Sequence, residues 1–123
     1  MPLNVNFIDD VAVLSNIARS MNDPRYVDAG REVGEVVDQG CKRFVIELRS
    51  VRETGSPLLG VLMTMTREIR RQGGEVVLGD VSKSVKAFLT EMRMDDYWDL
   101  FDSVQEAVES FRPRSATRSP EIR

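Results

Sequence analysis

Histidine is absent from the 123-residue chain, and with it the commonest general base and neutral metal ligand. The single cysteine, Cys41, admits no internal disulfide, which fits a reducing compartment and a packing role. A zinc site would rest mostly on carboxylates, a poor donor set for that metal. No apolar run approaches the ~20 residues of a membrane span. The opening Met1-Pro2-Leu3-Asn4 lacks the basic-then-apolar order of a secretory leader, so a cytoplasmic location without membrane insertion is expected. Nothing matches the phosphate-binding pattern G-x-x-x-x-G-K followed by Ser or Thr. Catalytic carboxylates stay open among the 20 acidic residues. Their densest group, Glu91, Asp95, Asp96 and Asp99, reads as a solvated face. The expectation is therefore a chain that is not an enzyme and carries no metal or cofactor.

What is present describes one globular domain. A hydrophobic fraction of 41% and a charged fraction of 30% suit one modest core. Four arginines and one glutamate fall within residues 112–123, so the body is more acidic than the net charge of −3 implies. An acidic body disfavours direct nucleic-acid binding, which draws its affinity from basic contacts with phosphates. It suits a partner with a basic face. Residues 1–111 are expected to form the domain, and 112–123 a basic, proline-broken, flexible tail.

The chain is organised around residues 42–89. Phe44-Val45-Ile46-Glu47-Leu48 is an apolar run of strand type. Beyond it, Ser56-Pro57 is a helix-start signal: the serine oxygen can accept from a free N–H of the first turn, and proline at the first helical position loses no bond. Leu59, Leu62, Met65, Thr66 and Ile69 recur at helical spacing and predict one buried face. Gln72-Gly73-Gly74 ends that helix, and Glu75-Val76-Val77-Leu78 reads as a second strand, joined to the first by a right-handed crossover.

On the N-terminal side, Leu3, Val5 and Phe7 alternate with polar residues. Asp9-Asp10 then breaks the run before Val11, Ala12, Val13 and Leu14. Two strands joined by a tight turn are predicted, the second reaching about Ala18. Asp23-Pro24 repeats the cap-then-proline signal. Tyr26, Ala29, Gly30, Val33, Val36 and Val37 then share one side of a helix ending near Gly40. Gly30 and Gly34 are expected to permit close approach to the sheet. On the C-terminal side, Ser82 caps a third helix whose buried stripe is Val85, Phe88, Leu89 and Met92. Tyr97-Trp98-Asp99-Leu100-Phe101 forms a short strand or an extended packing segment, with Trp98 against the last helix. Ser103-Val104-Gln105-Glu106 has the capping-box pattern that opens a helix through Phe111.

Three runs of this core, Ser56-Pro57-Leu58-Leu59-Gly60-Val61-Leu62, Arg70-Arg71-Gln72-Gly73-Gly74-Glu75-Val76-Val77-Leu78 and Val81-Ser82-Lys83-Ser84-Val85-Lys86-Ala87-Phe88-Leu89, resemble the STAS domain of anti-sigma factor antagonists. In that family the strand is followed by Asp-Ser-(Ser/Thr)-Gly-Leu-Gly, and the first serine is phosphorylated by a partner kinase. Ser56 falls on that serine, and Leu59 and Gly60 on the Leu-Gly. Gly55 replaces the aspartate, Pro57 the second hydroxyl residue and Leu58 a glycine. The resemblance spans roughly residues 10–111. It implies an α/β, STAS-like single domain: a mixed four- or five-stranded sheet with helices packed mainly on one face.

The function implied by the resemblance is that of an anti-sigma factor antagonist. It would bind an anti-sigma factor with serine kinase activity, free a sigma factor, and be switched off by phosphorylation at Ser56, with Thr54 as the alternative acceptor. A phosphatase would reset it, ATP and Mg²⁺ would belong to the kinase, and a homodimer is left open. The partner-binding surface would comprise Gly55, Ser56, Pro57, Leu58, Gly60, Met63, Thr64 and Ser82. Competing readings are an N-cap role alone for Ser56, a constitutive STAS scaffold or transporter-accessory subunit, and a small-ligand or lipid-binding STAS module.

Overall fold

The computed structural model describes residues 3–21 and 26–112, with side chains from residue 29 onward in the second stretch. Strand β1 (Asn4–Ile8) turns at Asp9-Asp10 into β2 (Val11–Ser15), and Asp9 takes a φ of 55°. The turn expected at the two aspartates is there, but β2 is shorter than expected. Asn16 adopts a φ of 68°, a left-handed conformation asparagine tolerates better than most residues. The chain then enters a one-turn helix, α1 (Ile17–Met21), which buries Ile17. Ile17 and Ala18 are therefore helical, not strand. Helix α2 (Tyr26–Asp38) follows, and Gly40 turns the chain with a φ of 101°. The cap expected at Asp23-Pro24 lies outside the described residues.

Strand β3 (Arg43–Glu47), helix α3 (Ser56–Arg71) and strand β4 (Glu75–Gly79) form the central unit. Helices α4 (Lys83–Glu91) and α5 (Val104–Glu109) complete it. The sheet order is β1-β2-β3-β4. β1 runs antiparallel to β2, and β2, β3 and β4 run parallel in register, Val13 beside Val45 and Val45 beside Val77. Alternation along these strands splits the core in two. Ala12, Leu14, Phe44, Ile46, Val76 and Leu78 face the larger cluster with residues of α1 to α4. Val11, Val13, Val45 and Val77 face the smaller one under Ala107 and Val108 of α5. Strands buried on both faces read as unbroken apolar runs, which is why the three parallel strands carry no clean polar alternation.

Several long-range details depart from expectation. Gly30 and Gly34 admit α3, not the sheet: a Cβ at Gly30 would stand 3.0 Å from Thr64 Cγ2, and one at Gly34 3.1 Å from Glu68 Oε2. Trp98 is buried with the α3 cluster instead of against α5, and its Nε1 donates to Thr66 Oγ1 at 2.9 Å. Met92 leaves the expected stripe, 47% exposed, because α4 ends at Glu91 and Met92 is already its C-cap. The Tyr97–Phe101 segment adds one parallel bridge, Leu78 with Leu100, held by Leu78 N–H to Asp99 O at 3.0 Å and Phe101 N–H to Leu78 O at 2.9 Å. Ser103 caps α5 as expected, accepting from Glu106 N–H at 3.0 Å. Of the expected tail, Arg112 is exposed and 3.8 Å from Asp9, and residues 113–123 lie outside the described set.

Candidate partner-binding site

Parallel strands deliver their connections to one rim, so α3 and α4 both begin at the C-terminal edge of the sheet. The loop from β3 to α3 is pinned at its start. Leu48 N–H donates to Gly79 O at 3.0 Å, Val51 N–H to Leu48 O at 3.1 Å, and both side chains are buried. Arg52, Glu53 and Thr54 are exposed. Gly55 then takes φ 130° and ψ −166°, a region essentially reserved for glycine, and its carbonyl accepts from Leu59 N–H at 3.2 Å.

The helix thus starts one residue earlier than expected. Gly55 is its N-cap, Ser56 the first helical residue and Pro57 the second. Ser56 does not cap, which corrects the assignment made from Ser-Pro alone. Its side chain is exposed, and its hydroxyl bonds none of the described residues. Pro57 has no N–H, so the first-turn donors without a helical acceptor include those of Ser56 and Leu58. No acidic residue occupies that turn. The helix end is positive, with no acid of its own first turn to offset it.

Ser82 stands on the same rim and does cap its helix, accepting from Val85 N–H at 3.2 Å; its hydroxyl lies 3.2 Å from that of Ser84. Between the two helix starts, Arg49 Nε meets Asp80 Oδ2 at 3.2 Å, with the aspartate side chain only 17% exposed. Ala18 N–H donates to Ser50 Oγ at 3.1 Å, tying α1 to the same loop. Neither tie carries a signal in the local sequence pattern. A shallow cavity of about 210 Å³ lies beside them, lined by Ala18, Met21, Ser50, Arg52 and Glu53.

Of the expected contact residues, Ser56, Pro57 and Ser82 are exposed, as is Thr54, while Gly55 and Gly60 are half-buried. Met63 is half-buried against the main core. Thr64 is held inside the helix pair: its hydroxyl donates to Gly60 O at 2.8 Å, and its methyl faces Gly30. Leu58 is fully buried at 0% exposure and so drops out of the contact surface. The buried face of the helix is Leu58, Val61, Leu62, Met65, Thr66 and Ile69, spaced three and four apart, and Leu59 lies half-buried at its margin. Among the described residues no three Cys, Asp or Glu side chains form a metal-binding group. No described helix is long and apolar enough to cross a membrane.

Among curated proteins, none matches the chain. Solved structures do. An anti-sigma factor antagonist (STAS) domain protein from Planctomyces limnophilus superposes with a TM-score of 0.70 at 21% identity, covering 88% of this chain and 96% of that one. A candidate anti-sigma factor antagonist from Thermotoga maritima gives 0.66 at 20% identity, covering 90% and 95%. A sulfate transporter family protein from Wolinella succinogenes gives 0.63 at 16% identity, covering 85% and 87%. At such identities these likenesses speak to the fold, which is the mixed sheet and helical layer described above. The family model for the STAS domain matches residues 5–107, and the chain belongs to the STAS domain family.

Proposed function

We propose that this chain is an anti-sigma factor antagonist acting in the cytoplasm through the rim around the start of α3, with no catalytic activity of its own. An anti-sigma factor with serine kinase activity docks there when Ser56 is unmodified, and its sigma factor is released. The kinase then transfers the γ-phosphoryl group of its ATP to Ser56 Oγ, the hydroxyl proton passes to a kinase base, and ADP leaves. A phosphatase resets the serine.

The observation that carries this reading is the state of Ser56: exposed, with a hydroxyl that bonds none of the described residues, at a helix N-terminus whose first turn holds no acid. A phosphate there adds about −1.5 to −2 charges beside the positive helix end, so the fold tolerates it while a docked partner meets new charge and bulk. The anti-sigma factor antagonists among the similar structures support the same reading. Incubating the chain with its anti-sigma factor kinase, identified by pull-down, plus ATP and Mg²⁺, tests it: mass spectrometry should place one phosphate on Ser56. Phosphate on Thr54 moves the site, and none at all favours the second reading.

That second reading is a STAS subunit that docks constitutively as a scaffold or beside a transporter. Gly55 and Pro57 support it, since both flank the acceptor where the family's kinases meet Asp and a hydroxyl residue. The likeness to a sulfate transporter family protein supports it too. A small-ligand role draws less support, because the cavity beside the site, at about 210 Å³, falls below the ~300 Å³ at which ligand pockets begin.

A further inference from the structure

Strand β1 ends the sheet, and among the described residues nothing pairs with its outer edge. Open edges are usually guarded by charge, proline or a bulge. Asn4-Val5-Asn6-Phe7-Ile8 has none of these: it is uncharged, and its five pairs with β2 run without interruption. It also carries Phe7 and Ile8, 54% and 43% exposed, two of the four large apolar side chains exposed among the described residues. An acidic chain that leaves an uncharged edge strand unguarded presents a surface for association.

We propose that β1 is the interface of a homodimer in which two copies join their sheets edge to edge, antiparallel, about a two-fold axis through Asn6. The occupant is a second copy because the strand is complementary to itself. With Asn6 opposite Asn6, every one of the five positions is paired. Phe7 of each copy then lies across from Val5 of the other, on the face where Val5 already packs against the main core. Ile8 lies across from Asn4. A shift by one residue sets Phe7 against asparagine, and a shift by two leaves part of the strand unpaired. Charge agrees as well. The two aspartates that close the β1–β2 turn are engaged within their own chain, Asp10 by Arg43 at 3.0 Å and Asp9 by Arg112 at 3.8 Å. No like charges oppose each other within the paired strands. The α3 rim follows β3, two strands in from this edge, so the dimer displays two rims at once. It stands or falls independently of phosphorylation at Ser56.

Sedimentation equilibrium across a concentration series tests the proposal on the full chain. Wild type should rise from 13.9 kDa to twice that mass, and Phe7→Lys should stay at monomer mass with an unchanged circular-dichroism spectrum. A Cys41→Ser, Asn6→Cys variant supplies the positional readout. Opposed residues in an antiparallel pair lie about 4.5–5.5 Å apart at Cα, within reach of a disulfide, so oxidation should cross-link it into dimers. A wild-type chain that stays monomeric throughout, a dimer that survives Phe7→Lys, or an Asn6→Cys dimer that does not cross-link overturns the assignment.

Discussion

Alanine and aspartate at Ser56 separate a switch from a structural serine, and the geometry sets the stability each should show. Because Gly55 is the N-cap and the Ser56 hydroxyl bonds none of the described residues, Ser56→Ala should change stability by no more than ~0.5 kcal/mol. Ser82→Ala is the internal control. It removes a formed cap to Val85 N–H and should cost ~1 kcal/mol, a fall of about 4 °C in melting temperature for a chain of this size. Ser56→Asp places a carboxylate in a first turn that holds no acid and should gain ~0.3–1 kcal/mol from the helix dipole. Under the proposed function the binding order is the reverse. Ser56→Ala should bind the anti-sigma factor as wild type does, and Ser56→Asp at least about tenfold more weakly, or ~1.4 kcal/mol. The better-folded variant is then the poorer binder, which misfolding cannot produce. Urea unfolding followed by the fluorescence of Trp98 supplies the first quantity, and calorimetric titration the second. Equal affinity for the two variants refutes the switch; a Ser56→Ala cost equal to that of Ser82→Ala refutes the helix start.

Four further outcomes test the frame that holds this site. Thr66→Val leaves the buried Trp98 indole N–H without its acceptor and should cost ~1–3 kcal/mol, visible as a lowered urea midpoint. Glu32 is 5% exposed with Oε1 unpartnered among the described residues; Glu32→Met should stabilise by ~1–3 kcal/mol, read as a raised urea midpoint, since an unmatched buried polar atom disappears. Gly30→Ala meets Thr64 Cγ2 at 3.0 Å, while Gly30→Ala with Thr64→Ser frees the methyl's space and should recover up to ~1 kcal/mol of helix propensity; additive effects in thermal melts count against the contact. Gly55→Asp restores the family's residue at a φ of 130° and should destabilise by ~1–3 kcal/mol, matched by Gly55→Ala if backbone strain is the cause.

The central strand-helix-strand unit was legible because its signals are local. Proline near a helix start, glycine past its end and apolar residues at helical spacing all act within a few bonds of the structure they specify. Gly73, at φ 86°, closes α3 where it was expected to. What Ser-Pro leaves open is which of Gly55 and Ser56 is the N-cap, since proline is tolerated in the first turn either way. Leu58 and Leu59 stand four and three residues before Leu62, both at helical spacing, and burial chose Leu58 and left Leu59 at the margin of the same face. The long-range ties could not be read the same way. Glycines spaced four apart announce a close approach without naming its partner, which is α3. A lone tryptophan announces burial without saying that Thr66 would take its proton. Arg49 and Asp80 stand 31 residues apart, and only the parallel pairing of β3 and β4 brings them together.

Those ties determine how a modification at Ser56 must work. Helix α3 is fixed along its length by the glycine faces of α2 at Thr64 and Glu68, by the Thr66–Trp98 bond and by five fully buried apolar side chains from Leu58 to Ile69. A charge added at its first residue therefore has no loose element to shift. Moving the helix would break a buried hydrogen bond and open the main core, each costing more than the ~0.3–1 kcal/mol that a charge gains from the dipole. The perturbation stays where a partner would sit. Under the proposed function, a rigid helix whose first hydroxyl bonds none of the described residues would convert modification into a change of surface, and the cost would fall on the complex instead of the fold.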